Sequence, residues 1–146
     1  MLELMGGLLL GCMVSGVIPV VNAELMVVGV AATMPVIGVP LIAVVSATGQ
    51  MISKTALFAI ARWAPERLPV KARGALGRAT GALEERQGAL WSLVFTSAAT
   101  GLPPFYGTSL ASGAVGMRLS PFVAAGGLGR FVRFGALAWA GAALGA

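Results

Sequence analysis

Two long stretches of this chain carry almost no charge, and a short stretch between them carries most of it. Leu4 to Ala23 is uncharged, Glu24 intervenes, and Leu25 to Ser53 is uncharged again. The second half repeats the plan, with Gln87 to Met117 uncharged, then Arg118, then Leu119 to Gly129. Six of the ten basic residues fall between Arg62 and Arg86, among Glu66, Glu84 and Glu85. A soluble fold covers its surface with polar groups, and average domains are about 25% charged. Here 10% of the 146 residues are charged and 58% are hydrophobic. The mean hydropathy of +0.91 agrees. The pattern predicts an all-α integral membrane protein, a single domain over residues 1–146, with roughly four apolar passes of about 20 residues each.

Composition also removes most chemistry. The chain has no His and no Asp, and Cys12 is its only cysteine. Disulfides within the chain, zinc clusters of Cys and His, and Ser-His-Asp or Cys-His arrangements are all excluded. Paired carboxylates would have to come from Glu3, Glu24, Glu66, Glu84 and Glu85, four of which lie near a terminus or in the charged segment. The expectation is no enzyme, no cofactor and no metal.

The net charge of +5 resembles a nucleic-acid footprint only until its distribution is read. The segment ARWAPERLPVKARGALGRATGALEERQG is the one water-facing stretch. It divides the chain into a first half (1–61), a loop (62–88) and a second half (89–146). Excess Lys and Arg in a short connection marks the cytoplasmic side, and Trp63 and Trp91 bracket it at the depth of an aromatic belt. Its basic residues can lean on anionic headgroups, at about 1 kcal/mol each near the surface. The predicted location is a bacterial cytoplasmic membrane, crossed several times, with membrane lipids rather than nucleic acid as partners. Near the amino terminus, Leu9 to Cys12 and Val21 to Ala23 resemble cleavage sites. No positively charged n-region precedes them, so the expectation is that they are not cleaved, and that Cys12 is a small packing residue.

The tail fixes one helix start. Phe134 to Ala146 would reach about 20 Å, too short for a core of roughly 30 Å. The last helix must begin upstream, near Ser120-Pro121, where Pro suits a first turn. That puts Arg130 and Arg133 inside the helix, three apart on one face. Guanidinium groups hold phosphate bidentately and keep their charge. Beside a polar hairpin tip with Tyr106, Thr108 and Ser109 they would form a lipid-phosphate cradle. Snorkelling toward an interface is the plainer alternative. Glu24, in a segment of Val, Leu, Met and Ala, either sits at the bilayer surface or is buried, there carrying a proton or pairing with an arginine to close a gate, because a lone carboxylate in hydrocarbon costs several kcal/mol.

Proline and glycine interrupt both halves near Pro19, Pro35, Pro40, Pro103 and Pro104. Proline costs about 3 kcal/mol inside a helix, and in lipid the freed carbonyls need protein or water partners. Residues 18–29 and 102–113 align at an offset of 84, matching Pro19 with Pro103 and Gly29 with Gly113. These four positions, with Pro104, are the predicted hairpin breaks of an internal repeat of the transporter kind. Two kinked helices in a bundle are the alternative. Gly7-x-x-x-Gly11, Ser112-x-x-x-Gly116 and Gly141-x-x-x-Gly145 allow close helix approach, within the chain or in a homo-oligomer. Gly126, Gly127 and Gly129 are expected to serve packing rather than a nucleotide, since no strand precedes them.

The stretch TGLPPFYGTSLASGAVGMRLSPFVAAGGLGRFVRFGALAW resembles the second half of a small DedA-type membrane protein, of the VTT-domain or SNARE-associated Golgi protein family. VIPVVNAELMVVGVAATMP and LIAVVSATGQMISKTALFAIAR resemble that family's first re-entrant segment and following helix. Pro103-Pro104-x-Tyr106, the small-residue run and Gly129-Arg130-x-x-Arg133 arrive in the family's order. The resemblance implies two inverted repeats, each with a re-entrant hairpin and a spanning helix. It also implies translocation or scrambling of phospholipid or polyprenyl phosphate, with Glu24 as the family's acidic residue and Arg130 and Arg133 as its late arginines. The chain departs from the family at Gln50, where many members carry a carboxylate. A structural or assembly subunit packed through its glycine faces, with no transport of its own, is the alternative function.

Overall fold

The computed structural model describes residues 1–18, 21–67, 70, 73–74, 90–102 and 104–145, and every regular element among them is helical. The elements are α1 (Leu2–Val17), α2 (Ala23–Ala32), a 3-10 turn (Val36–Gly38), α3 (Val39–Trp63), a second 3-10 turn (Pro65–Arg67), α4 (Leu90–Thr100), α5 (Phe105–Ala114) and α6 (Leu119–Gly145). Val36–Trp63, 28 residues with a mean hydropathy of 1.7, is the one helix among the described residues long and apolar enough to cross a membrane. Helix α6 has 27 residues and carries Arg130 and Arg133 near its middle. It starts at Leu119, so both arginines lie within one continuous helix, as the length of the tail requires.

Local chemistry sets the ends. Ile18 closes α1 at φ −104°, ψ 106°, the extended conformation imposed on a residue before proline. Asn22 opens α2, its side chain accepting from the Glu24 and Leu25 amides at 3.0 and 3.3 Å. Gly116, at φ 80°, ends α5 in a Schellman turn in which the Met117 amide donates to the Ser112 carbonyl at 3.0 Å.

The chain divides into two compact units, Met1–Ser53 with Arg130–Ala146, and Lys54–Gly129. In the first, Met5, Leu8 and Cys12 of α1 pack with Val27 and Ala31 of α2, Ile42 and Ala47 of α3, and Phe134 and Ala138 of α6. A Cβ added at Gly49 would lie 2.7 Å from the Leu9 carbonyl oxygen, and one at Gly141 would lie 2.6 Å from that of Val28. Gly145 presses equally closely on the Ala32 carbonyl. In the second unit, Phe122 of α6 stacks on Phe58 of α3 at 4.5 Å between ring centroids, with Phe105 of α5 at 6.1 Å. Gly129 lets α6 approach Ala98 and the Phe95 carbonyl of α4.

Several sequence expectations change here. Gly29 and Gly113 do not break hairpins: each lies inside a helix, α2 and α5 respectively. Ser112-x-x-x-Gly116 is not a packing face, since Gly116 has left the helix and an added Cβ there meets nothing within 4 Å. Of Gly7 and Gly11, only Gly11 has a neighbour, Met26. Pro19, Pro103 and positions 68–69, 71–72 and 75–88 of the expected loop lie outside the described residues.

Candidate functional site

The first unit brings together charges that are far apart in sequence. Asn22 caps α2, which places Glu24 in the first helical turn. There the unpaired amides and the helix dipole favour a carboxylate. Across from it, α6 presents Arg133. The Arg133 Nε–H donates to Glu24 Oε1 at 2.8 Å, and Nη2 reaches the same oxygen. The pair is part-buried, with side chains 23% and 42% exposed for Arg133 and Glu24. Of the two sequence alternatives for Glu24, the structure has the arginine pair.

Arg130 lies one turn earlier on α6. It is almost fully buried, 9% exposed, and its guanidinium sits 5.9 Å from the Phe134 ring centroid. Two guanidiniums on one helix face, one carrying a resident carboxylate, form a small anion-holding constellation. Both donors of Arg133 converge on a single carboxylate oxygen, the geometry of a planar fork meeting an acid.

A neutral network stands behind this pair in the same unit. Gln50 of α3 donates to the Ser15 hydroxyl of α1 at 2.6 Å and to the Cys12 carbonyl at 3.4 Å. Ser53 donates to the Met13 carbonyl. Gln50 stands where the family resemblance puts a carboxylate, and here it ties α3 to α1. Amide and hydroxyl groups buried among apolar helices are stable because each finds a partner.

Tyr106, Thr108 and Ser109 fall in the second unit, on α5. The Thr108 and Ser109 hydroxyls serve local structure: Ser109 donates to the Phe105 carbonyl at 2.7 Å, and Thr108 to the Pro104 carbonyl at 3.2 Å. Ser97 of α4 donates to Thr108 at 2.9 Å, joining the hairpin's two helices. Pro104 is the residue from which α5 starts.

Sequence reasoning passed over Lys54. It lies within the apolar helix, 5% exposed, with its ammonium 5.2 Å from the Tyr106 ring centroid. That is within the roughly 6 Å reach of a cation–π contact. The signal was present: Lys54 is the only charged residue between Glu24 and Arg62. An ionisable group inside an apolar span marks function by default.

The described residues contain no group of His, Cys, Asp and Glu able to hold a metal. Comparison of the chain with protein-family models, with curated proteins and with solved structures finds no match.

Proposed function

We propose that this chain is a multi-pass protein of a bacterial cytoplasmic membrane, of DedA or VTT type, that translocates or scrambles phosphate-headed lipids. The observation that carries the reading is the Glu24–Arg133 pair with Arg130 buried one turn away, inside a helix that is otherwise apolar. Embedded charge of this kind is retained where an ionic group must be handled. A lipid phosphate and the Glu24 carboxylate compete for the same guanidinium fork, so the pair acts as a gate and Arg130 as the second arm of the cradle.

The order of elements supports two repeats. Each half runs short helix, short helix, long helix, with 16, 10 and 25 residues in the first and 11, 10 and 27 in the second. At 1.5 Å per residue, α2, α4 and α5 reach only about 15–16 Å, half of a core of roughly 30 Å. Paired helices this short fit re-entrant hairpins that enter and leave on one side, their broken ends satisfied by protein or water. In this reading the two halves insert in opposite senses, and the 62–88 segment is cytoplasmic.

The test is lipid flux in reconstituted vesicles, normalised to inserted protein, for Ala and Lys at each arginine. A charge-assisted contact of about 1.5–3 kcal/mol corresponds to a roughly tenfold to hundredfold loss for Arg→Ala. Lys keeps the charge without the fork and restores part of the flux. Full flux in the double Ala variant ends the proposal.

The second reading, a structural subunit, draws on Gly6 and Gly7 of α1, where an added Cβ meets nothing. Gly141 and Gly145 do not support it, because α2 of the same chain already covers them.

A further inference from the structure

The second unit carries a groove that the Glu24, Arg130 and Arg133 reading does not use. Trp91 and Phe95 of α4 and Pro121, Ala124, Ala125 and Leu128 of α6 enclose about 350 Å³, and every lining side chain is apolar or aromatic. Pro121 to Leu128 covers about 10 Å of helix, a large part of one leaflet's half of a core of roughly 30 Å. Its orientation is fixed by contacts within the unit. Trp91 and Pro121, at the starts of α4 and α6, line one end. Gly129 closes the other end against Phe95 and Ala98.

Two arginines lie close, in the chain or by hydrogen bond, to Pro121 at the Trp91 end. Arg118 lies one turn before Pro121 and is exposed, and its carbonyl accepts from the Phe122 amide at 3.3 Å in the first turn of α6. Arg62, at the end of α3, donates from Nη1 to the Met117 carbonyl next to Arg118 and lies 5.3 Å from the Trp63 ring centroid. Arg118, and Arg62 through its bond to Met117, therefore stand within about one turn of Pro121, while Trp91 lines the same end. Indole rings prefer headgroup depth, and arginines there attract anionic headgroups.

We propose that this groove is a binding site for one anionic glycerophospholipid, with an acyl chain along α4 and α6 and the phosphate against Arg118 and Arg62. The site rests on the membrane reading above but not on transport. Charge at the mouth selects an anionic over a zwitterionic headgroup. The wholly apolar lining selects a lipid over free phosphate.

The experiment is native mass spectrometry of the full chain, delipidated in detergent and titrated with phosphatidylglycerol, phosphatidylcholine or inorganic phosphate. One phosphatidylglycerol adduct per chain is expected, with phosphatidylcholine weaker and phosphate leaving none. Arg118→Gln should cut the preference for phosphatidylglycerol roughly fivefold. Ala124→Phe, at an exposed position in the groove wall, should weaken both lipids together, and circular dichroism checks that helix content is kept. Equal retention of the two lipids, or phosphatidylglycerol binding unchanged in Ala124→Phe, overturns the site. Retained phosphatidylglycerol binding in a flux-dead Arg130→Ala/Arg133→Ala variant upholds the site whatever becomes of the cradle. A chain that does not partition into vesicles at all would overturn the membrane reading and this site with it.

Discussion

The two helical hairpins solve the same problem with different chemistry. The first, α1 and α2, carries a carboxylate at a capped helix start and matches it with an arginine from α6. The second, α4 and α5, has no side-chain cap at Pro104 and no carboxylate, and instead joins its helices by hydroxyls bonded to each other and to their own carbonyls. An ion pair can exchange partners with an incoming anion, whereas hydroxyls bonded to their own turn hold a shape. The first pair of helices is thus tied to α6 by charge, and the second is joined within itself by neutral hydroxyls.

A charge swap gives the largest expected effect and the sharpest break. Glu24→Arg with Arg133→Glu keeps an ion pair of the same two groups but moves the fork from α6 to the first turn of α2. If the pair only holds helices together, flux returns with folding. If Arg133 serves the phosphate, the swapped protein inserts but its flux stays roughly tenfold or more below wild type, as measured by vesicle assay.

The aligned glycines come next, because the offset of 84 makes them equivalent and the structure makes them opposite. A Cβ at Gly113 collides with the Phe58 carbonyl, and backbone cannot step aside as a flexible side chain can. Gly113→Ala should destabilise by about 1–3 kcal/mol, the range for overpacking, read as a lower Tm in detergent. Asn22→Ala should cost about 1 kcal/mol through the lost cap. It should also weaken the neighbouring Glu24–Arg133 pair, which a smaller additional penalty of Arg133→Ala in the Asn22→Ala background would reveal. At Gly29 an added Cβ meets nothing, so Gly29→Ala should raise stability by about 0.5–1 kcal/mol through helix propensity alone. Equal shifts at Gly29 and Gly113 would erase the contrast between the hairpins.

Much of the helical layout was legible before any coordinates. Low charge located the apolar first half, although α3 runs on to Trp63, two residues into the segment expected to be a loop. Asn22 before an apolar run is a cap signature. The reversal points were legible less well. Glycine misled, since Gly29 and Gly113 match in sequence while each lies inside a helix.

The sequence by itself determined that apolar helices would dominate this chain, because 58% of its residues are hydrophobic and 10% charged. It also determined that Arg130 and Arg133 share a helix face, because three residues on an α-helix always do. Only the tertiary structure decided that Arg133 takes Glu24 across a separation of 109 residues. Only it decided that Lys54 lies buried beside Tyr106, and that Gly141 is a contact while Gly7 is not. Those choices depend on the rotation and axial register of packed helices. Register is fixed by the sum of many small contacts between elements, and no single residue's chemistry carries it.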